Sequence, residues 1–379
     1  MKVAITGIGI LTSTGIGKAA VCSALLSGRD GVGQVTRFDT RKLKIHNGYE
    51  IKETLPSVGK EGTRLVQLAY YAAKEALQDS GVNSKDDSLC LLVGSGLGDE
   101  EYIYNLSRDK VLSGDPALNH RLGPQLARLL ELGGGVVGNG TACSAALSSI
   151  AYGYDLIKNR ECEAVIAGGA ETFSLKSMAY FDRVTAGKPE KVRPFDKRRE
   201  GMLLGEGAGF VVLESMEKAR MKHHYGEILG YGLSCDAYHM SNMSVDGLGK
   251  AMARALMNAR VHPEHIDYIA AHGTGTPIND VSETQAIKRV LKKEAYSIPI
   301  SSVKSMIGHT GGASGAIGLI SGLFAISQQV LPPTIHYENP DIECDLDYIP
   351  NRARPWNVQK VLVNSFGFGG ANCSMVIGA

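Results

Sequence analysis

The sequence predicts an α/β protein built on buried, mostly parallel sheet, and three observations carry that prediction. Strand-like apolar runs alternate with helical ones along the 379 residues. Several of those runs end in glycine clusters, as chain does where it turns tightly or lets a ligand approach the backbone. A weak internal repeat relates residues 135–157 to 299–327. Each has an apolar strand, a glycine-containing turn bearing one reactive residue, and a helix of small residues.

In chain order, Val3–Ile10 reads as a buried strand, Gly17–Leu26 as a helix and Thr63–Asp79 as a clear amphipathic helix. Leu89–Val93 is a strand ending in Gly94-Ser95-Gly96-Leu97-Gly98, and Ala164–Ala167 one ending in Gly168-Gly169-Ala170-Glu171. Gly205-Glu206-Gly207 opens the strand Ala208–Leu213. The second half offers helix Lys250–Ala259, strand Ile266–Ala270, helix Ser314–Gln329, and strands Val361–Asn364 and Cys373–Ile377. No low-complexity linker divides the chain. The charged stretch Glu214–Tyr225 is the best boundary, giving halves 1–220 and 221–379, the first carrying Cys143 and the second His272 and His309.

Composition narrows the function. Forty basic and 39 acidic residues leave a net charge of +1, with no basic block for nucleic acid and no acidic run for disorder. Seven dispersed cysteines without CxxC spacing argue against a disulfide framework and a zinc site, and point to a reducing, cytoplasmic compartment. The N-terminus is a poor signal peptide and a good first strand. The most apolar later stretch, Ala316–Ile326, is too short to span a membrane. Gly7-Ile8-Gly9 follows the first strand but has no glycine three residues later, and no GxxxxGK[ST] occurs, so no dinucleotide or ATP site is expected.

Four segments bear chemistry. Cys143, in Gly140-Thr141-Ala142-Cys143-Ser144-Ala145-Ala146, sits on a turn before a small-residue helix. Backbone N–H groups at a helix N-terminus favour thiolate, the nucleophilic form, although a lone cysteine is more often a small buried hydrophobe. His272 opens His-Gly-Thr-Gly-Thr at a strand end, the edge where open α/β sheets bind ligands. His309 follows Lys304 by five residues in Lys304-Ser305-Met306-Ile307-Gly308-His309. In isolation His272 reads as structural and Lys304 as surface. Asn364-Ser365-Phe366-Gly367-Phe368-Gly369-Gly370 is a glycine-rich turn whose N–H groups can face an anion.

Together these segments resemble the β-ketoacyl-acyl carrier protein synthases, the elongating condensing enzymes of type II fatty acid and polyketide synthesis. The TACSAA turn, HGTGTPxND, KSxxGH and NSFGFGG segments match in order, with Arg193-Pro194-Phe195-Asp196, Arg199, the GEGAG turn and the N-terminal VxITGxG. The resemblance implies a thiolase fold: α-β-α-β-α layers around two similar halves, each with a five-stranded mixed sheet. It implies that Cys143 holds the acyl group, that His272 and His309 donate to the enolate left when malonyl-carrier protein loses CO₂, and that Lys304 assists. The N–H groups of Cys143 and Phe368 then hold the condensation oxyanion, and Phe368 gates the acyl pocket. Thr274 and Thr276 bind the pantetheine arm. Leu97, Phe366, Gly369 and Met202 line the substrate sites. No metal or redox cofactor is implied, since substrates ride on the phosphopantetheine of acyl carrier protein. A dimer is implied, either a homodimer or a heterodimer with a chain-length-factor-like subunit.

The chain departs from the family pattern in three ways. Gly318 stands where a glutamate pairs the lysine, Met202 replaces a phenylalanine, and the chain is shorter, mostly before Cys143. These departures point to a specialised member. A non-catalytic chain-length factor lacks the nucleophile that Cys143 supplies, and a CoA-dependent thiolase needs a second cysteine where Gly-Phe-Gly-Gly stands. Carrier protein is acidic, so Lys60, Arg64 and the Arg41-Lys42-Lys44 cluster are candidates for its dock.

Overall fold

The computed structural model describes residues 1–59, 62–100 and 121–379. Ten strands among the described residues build the frame. They are β1 (Val3–Thr12), β2 (Leu89–Gly94), β3 (Val136–Asn139), β4 (Ala164–Glu171), β5 (Gly207–Ser215), β6 (Gly226–Cys235), β7 (Tyr268–Ala270), β8 (Ile300–Ser301), β9 (Lys360–Phe366) and β10 (Ala371–Gly378). The spatial order is β8-β7-β9-β10-β6-β1-β5-β4-β2-β3. Each block of five has the same pattern, parallel at its outer three strands and antiparallel at its inner ones. The two blocks meet edge to edge, where β1 and β6 pair antiparallel through Val3–Ile228, Ala4–Glu227 and Ile5–Gly226. The two expected sheets are therefore one continuous mixed sheet with a repeated half.

Six helices place the site: α1 (Arg64–Ser80), α2 (Ala145–Lys158), α3 (Leu175–Val184), α4 (Val245–Ala259), α5 (Pro277–Leu291) and α6 (Ser314–Gln328). Helix α1 follows from its pattern. Leu65, Val66, Leu68, Ala69, Ala72, Ala73, Ala76 and Leu77 form one buried face, Thr63 caps its start on the Val66 N–H, and Gly81 ends it at φ 68°. It covers one face of the first block, and α4 covers the opposite outer face of the second. Between the blocks lie α2 and α6, in contact with each other and with both. Helix α6 is apolar nearly all round because both sides are covered. Its Gly315 lies so close to α2 that a Cβ there would fall 2.6 Å from the Leu147 Cβ.

The sequence reading missed β6, whose glycines blur its alternation, and helices α3 and α5. It set Lys250 as the start of α4, which begins at Val245 with Ser244 as its cap. It also expected unpaired cysteines. Cys90 on β2 and Cys162 after α2 are instead joined as a disulfide, Cα–Cα 6.5 Å, across a separation of 72 residues that no local spacing reveals. Five cysteines, Cys143 among them, are free.

Arg64 is corrected too. Its Nε lies 2.9 and 3.1 Å from the two Glu206 carboxylate oxygens, and its Nη2 is 2.7 Å from Oε2 and 2.6 Å from the Ile51 carbonyl. Arg37 holds the other side of the same carboxylate. Glu206 is 0% exposed, so this guanidinium belongs to an interior ion cluster and not to a dock. Lys60 lies outside the described residues. Removing Glu206 takes the shared buried carboxylate from two guanidinium groups, and Glu206→Ala should lower unfolding free energy by roughly 3–5 kcal/mol in urea titrations. A loss below about 1 kcal/mol would mean that the pairs behave like exposed ones.

Candidate active site

Cys143 sits on a short 3₁₀ turn, Ala142–Ser144, that feeds directly into α2. The residue before it, Ala142, has φ 49°, a conformation a side chain tolerates poorly and that sharp turns impose. Ser365 Oγ donates to the Cys143 carbonyl at 2.8 Å, fastening this turn to the end of β9. The backbone N–H groups of Phe368 and of Cys143 itself favour the thiolate form of the sulfur. Burial raises its pKa to about 11, outweighing the Lys304 charge and the Phe368 N–H that pull it down. The expectation that the helix terminus favours thiolate is thus reversed. Desolvation wins because the sulfur lies at the floor of a cavity closed by aromatic and aliphatic side chains.

Two imidazoles face that sulfur's cavity. The rings of His272 and His309 are 5.3 Å apart between centroids and nearly perpendicular, at 82°. His272 follows β7. Its own N–H and that of Gly273 donate to the two oxygens of Glu283 on α5, each at 2.8 Å. His309 is held by a two-bond bridge, its N–H to the Leu203 carbonyl at 2.8 Å and its carbonyl to the Gly205 N–H at 3.0 Å. Burial first, then the Lys304 charge, pushes both imidazoles well below the usual histidine range, so both are neutral at pH 7. The Gly311 N–H donates to His309 Nδ1 at 3.2 Å, which leaves the ring proton on Nε2.

Lys304 does not line the cavity; it stands behind His272. Its Nζ donates to the His272 carbonyl at 2.6 Å and lies 3.4 Å from His272 Nδ1. Burial lowers it to about 8, against the field of Glu283, which favours the charged form. Gly318 faces the Val363 side chain from α6. With glycine at 318, the negative field on Lys304 comes first from Glu283, nearly two turns into the helix that follows HGTGTP. Sequence reading passed over it, though it stands in the apolar-flanked run after HGTGTPxND.

A cavity of about 400 Å³ leads to Cys143, lined by His272, His309, Thr274, Thr276, Phe366, Phe368 and Met202 among others. A narrower cavity of about 80 Å³ continues past Cys143 between Leu97, Phe173, Phe181, Met202 and Phe368. Phe368 borders both, and its ring is 6.3 Å from that of Phe181. The structure thus brings together Cys143, His272, His309, Thr274, Thr276, Leu97, Phe366, Phe368 and Met202. Gly369 lines neither cavity. Its N–H is engaged by the Met240 carbonyl, so its part is to shape the turn. Phe173, Phe181 and Glu171 were not anticipated, because nothing in sequence separates them from core residues. Among the described residues no group of three metal-ligating side chains forms, and no helix is long and apolar enough to cross a membrane.

Comparison with known proteins shows the family. Residues 1–219 match the family model "Beta-ketoacyl synthase, N-terminal domain", and residues 225–338 match "Beta-ketoacyl synthase, C-terminal domain". The chain is 36% identical to the 3-oxoacyl-[acyl-carrier-protein] synthase 2 of Coxiella burnetii, covering 99% of this chain and 98% of that protein. It is 34% identical to the tetracenomycin polyketide synthase ketoacyl synthase alpha subunit of Streptomyces glaucescens, covering 99% and 96%. Among solved structures, the ishigamide ketosynthase/chain length factor superposes with TM-score 0.95 at 36% identity, covering 100% of this chain and 99% of that one. A type II polyketide synthase acyl-carrier protein in complex with its ketosynthase gives 0.91 at 29%, with 100% and 99% covered. The chain belongs to the β-ketoacyl synthase family, and its fold is the thiolase fold of those neighbours.

Because the half-buried Cys143 thiol reacts through its thiolate, its alkylation by iodoacetamide should accelerate as pH rises toward about 11. Removing the ammonium with Lys304→Met should slow the reaction at any fixed pH below that. Equal rates in both proteins would show that Lys304 does not act on the sulfur.

Proposed function

We propose that this chain condenses an acyl group held on Cys143 with malonyl-acyl carrier protein, releasing CO₂ and giving β-ketoacyl-acyl carrier protein in fatty acid or type II polyketide synthesis. One observation carries the reading: a free thiol under the Phe368 N–H, at the junction of a wide and a narrow cavity, beside two neutral imidazoles.

The steps balance without a metal or redox cofactor. The Cys143 sulfur attacks the acyl thioester; its S–C bond forms, the carrier's S–C bond breaks, and the thiol proton ends on the departing pantetheine thiol. This divides a difficult condensation into two transfers. The acyl chain enters the narrow cavity past Phe368. The malonyl arm then occupies the wide cavity, where the Thr274 and Thr276 hydroxyls, 2.9 Å apart, meet the pantetheine. The bond from malonyl carbon to carboxylate breaks and CO₂ leaves. The enolate oxygen accepts hydrogen bonds from the Nε2–H groups of His272 and His309. His272 Nε2 has no partner within the protein and is buried, so it stands ready for one. Donors placed for charge that develops only in the reaction contribute roughly 3 kcal/mol each. The enolate carbon attacks the acyl carbonyl, whose oxygen collects charge between the N–H groups of Cys143 and Phe368. Collapse breaks the bond to Cys143 and releases its sulfur as thiolate, which takes one proton from water to restore the thiol. Lys304 is a positioning residue here, orienting His272 through Nδ1.

Acidic carrier protein docks at the mouth of the wide cavity. Exposed Val184 and Ile278, at 55% and 50%, stand on its rim. Arg183, Lys188 and Arg198 are exposed on the same segments, and Lys44 reaches the Thr185 carbonyl at 3.0 Å. A second subunit, either a copy of this chain or a chain-length-factor-like protein, docks on β3. The outer edge of β3 pairs with no strand among the described residues, and its Val137 is 40% exposed. The halves 1–220 and 221–379 divide the labour, one holding the acyl group and the other the enolate donors.

Incubation with acyl-carrier protein should leave an acyl mass adduct on the intact chain, absent from Cys143→Ala; an adduct that survives that substitution sinks the assignment. Cys143→Gln should decarboxylate malonyl-carrier protein without condensing it, and adding His272→Ala or His309→Ala should slow CO₂ release by about 10²–10³. Arg183→Glu with Lys188→Glu should raise KM for carrier protein and flatten its salt dependence while leaving turnover at saturation. An unchanged KM places the dock elsewhere.

A further inference from the structure

Glu171, at the end of β4, is 2% exposed and takes no part in the steps above, yet it borders the narrow cavity beside Cys143. Its carboxylate is surrounded by donors from two separate turns. Oε1 accepts from Ser95 Oγ at 2.9 Å, and Oε2 from the Gly96 N–H at 2.6 Å and the Gly312 N–H at 2.7 Å. The Leu97 N–H lies 3.3 Å from both oxygens. A carboxylate this deep is retained only where such donors replace water.

The two turns matter for different reasons. Ser95–Leu97 forms the wall of the narrow cavity. Gly311–Gly312 follows His309, and the Gly311 N–H is the donor that keeps His309 Nδ1 unprotonated. Gly311 has φ 45°, and a Cβ on it would lie 2.6 Å from the Glu171 Cγ, so the carboxylate stem packs directly on this backbone. Packing on Gly311 and bonding to Gly312 together fix the direction of the Gly311 N–H.

We propose that Glu171 is a positioning residue: by holding the Gly311–Gly312 turn it keeps His309 in the Nε2-protonated form that donates to the enolate oxygen, and it ties that turn to the Ser95–Leu97 wall of the acyl cavity. The proposal rests on the condensing reading for its consequence but not for its geometry. The acyl chain and the decarboxylation donor are thereby linked through one side chain. A change in the cavity wall is felt at His309 along three hydrogen bonds, Gly96 N–H to Glu171, Gly312 N–H to Glu171 and Gly311 N–H to His309.

Nitrogen-15 NMR of histidine-labelled protein at pH 7–8 reads the tautomer directly. His309 should show a protonated Nε2 and a bare Nδ1. Glu171→Ala should mix the two tautomers and, in the Cys143→Gln background, slow malonyl decarboxylation roughly tenfold, part of the 10²–10³ that a whole donor is worth. His272 is the internal control, since its Nδ1 faces Lys304. Its signal should not move, whereas general damage shifts both rings. Glu171→Gln should restore tautomer and rate, because its amide oxygen can take the Gly96 and Gly312 bonds while its NH₂ donates to Ser95. Should Glu171→Ala not fold, Gly312→Ala replaces it. A Cβ there lies 2.4 Å from the Gly96 nitrogen, which separates the turns and should produce the same mixing. A folded Glu171→Ala or Gly312→Ala protein with His309 unchanged overturns the proposal, and so does a Glu171→Gln protein that behaves like Glu171→Ala. Loss of the Cys143 acyl adduct in the unmutated protein would remove the condensing reading while leaving the tautomer result standing.

Discussion

The close approach of α2 and α6 is the contact on which the site depends. Gly315 removes the side chain that would otherwise collide with Leu147, so the two small-residue helices lie against each other between the sheet blocks. Their N-terminal turns, one bearing Cys143 and the other following His309, are thereby packed side by side. Interiors at this density respond to single methylenes. A bulkier residue at Gly315 would separate nucleophile from donor before it disturbed either half.

That central placement makes desolvation the dominant electrostatic fact. Burial raises Cys143, Glu171, Glu283 and Asp280, and lowers His272, His309 and Lys304. The protein answers with backbone dipoles more than with counter-charges. Glu171 takes N–H groups from Gly96 and Gly312, Glu283 from His272 and Gly273, and Asp280 from Phe195, Thr274 and Gly275. Each buried carboxylate thus fastens the backbone of a reactive turn. The histidines stay neutral, which suits a hydrogen-bond donor to an enolate better than an imidazolium would, because a neutral donor keeps its proton.

Much of this was legible in the sequence. Cys143, His272, His309 and the Phe368 turn were legible only because their segments together resemble one family, since each alone reads as core or simple turn, and α1 because its apolar stripe is local. The elements that escaped were β6 and α5, whose glycines or mixed polarity give no clean period, and α3, a ten-residue helix that buries only Ser177, Met178 and Asp182. Arg64 was misplaced for a related reason: a guanidinium looks the same in sequence whether it faces water or a buried Glu206. Cys90 and Cys162 are 72 residues apart, and only the packing of β2 against α2 brings them together.

By itself the sequence determined the repeated α/β plan and the kind of chemistry, since turn geometry and nucleophile identity are properties of short segments. Tertiary structure alone decided the protonation states and the supporting contacts. The Cys143 thiol is pushed up rather than down, the negative field on Lys304 comes first from Glu283 and not from position 318, and Glu171 joins two turns more than 200 residues apart in the chain. The reason is physical: burial and the direction of a distant N–H depend on which segments meet, and that is settled only when both sheet blocks have closed over α2 and α6.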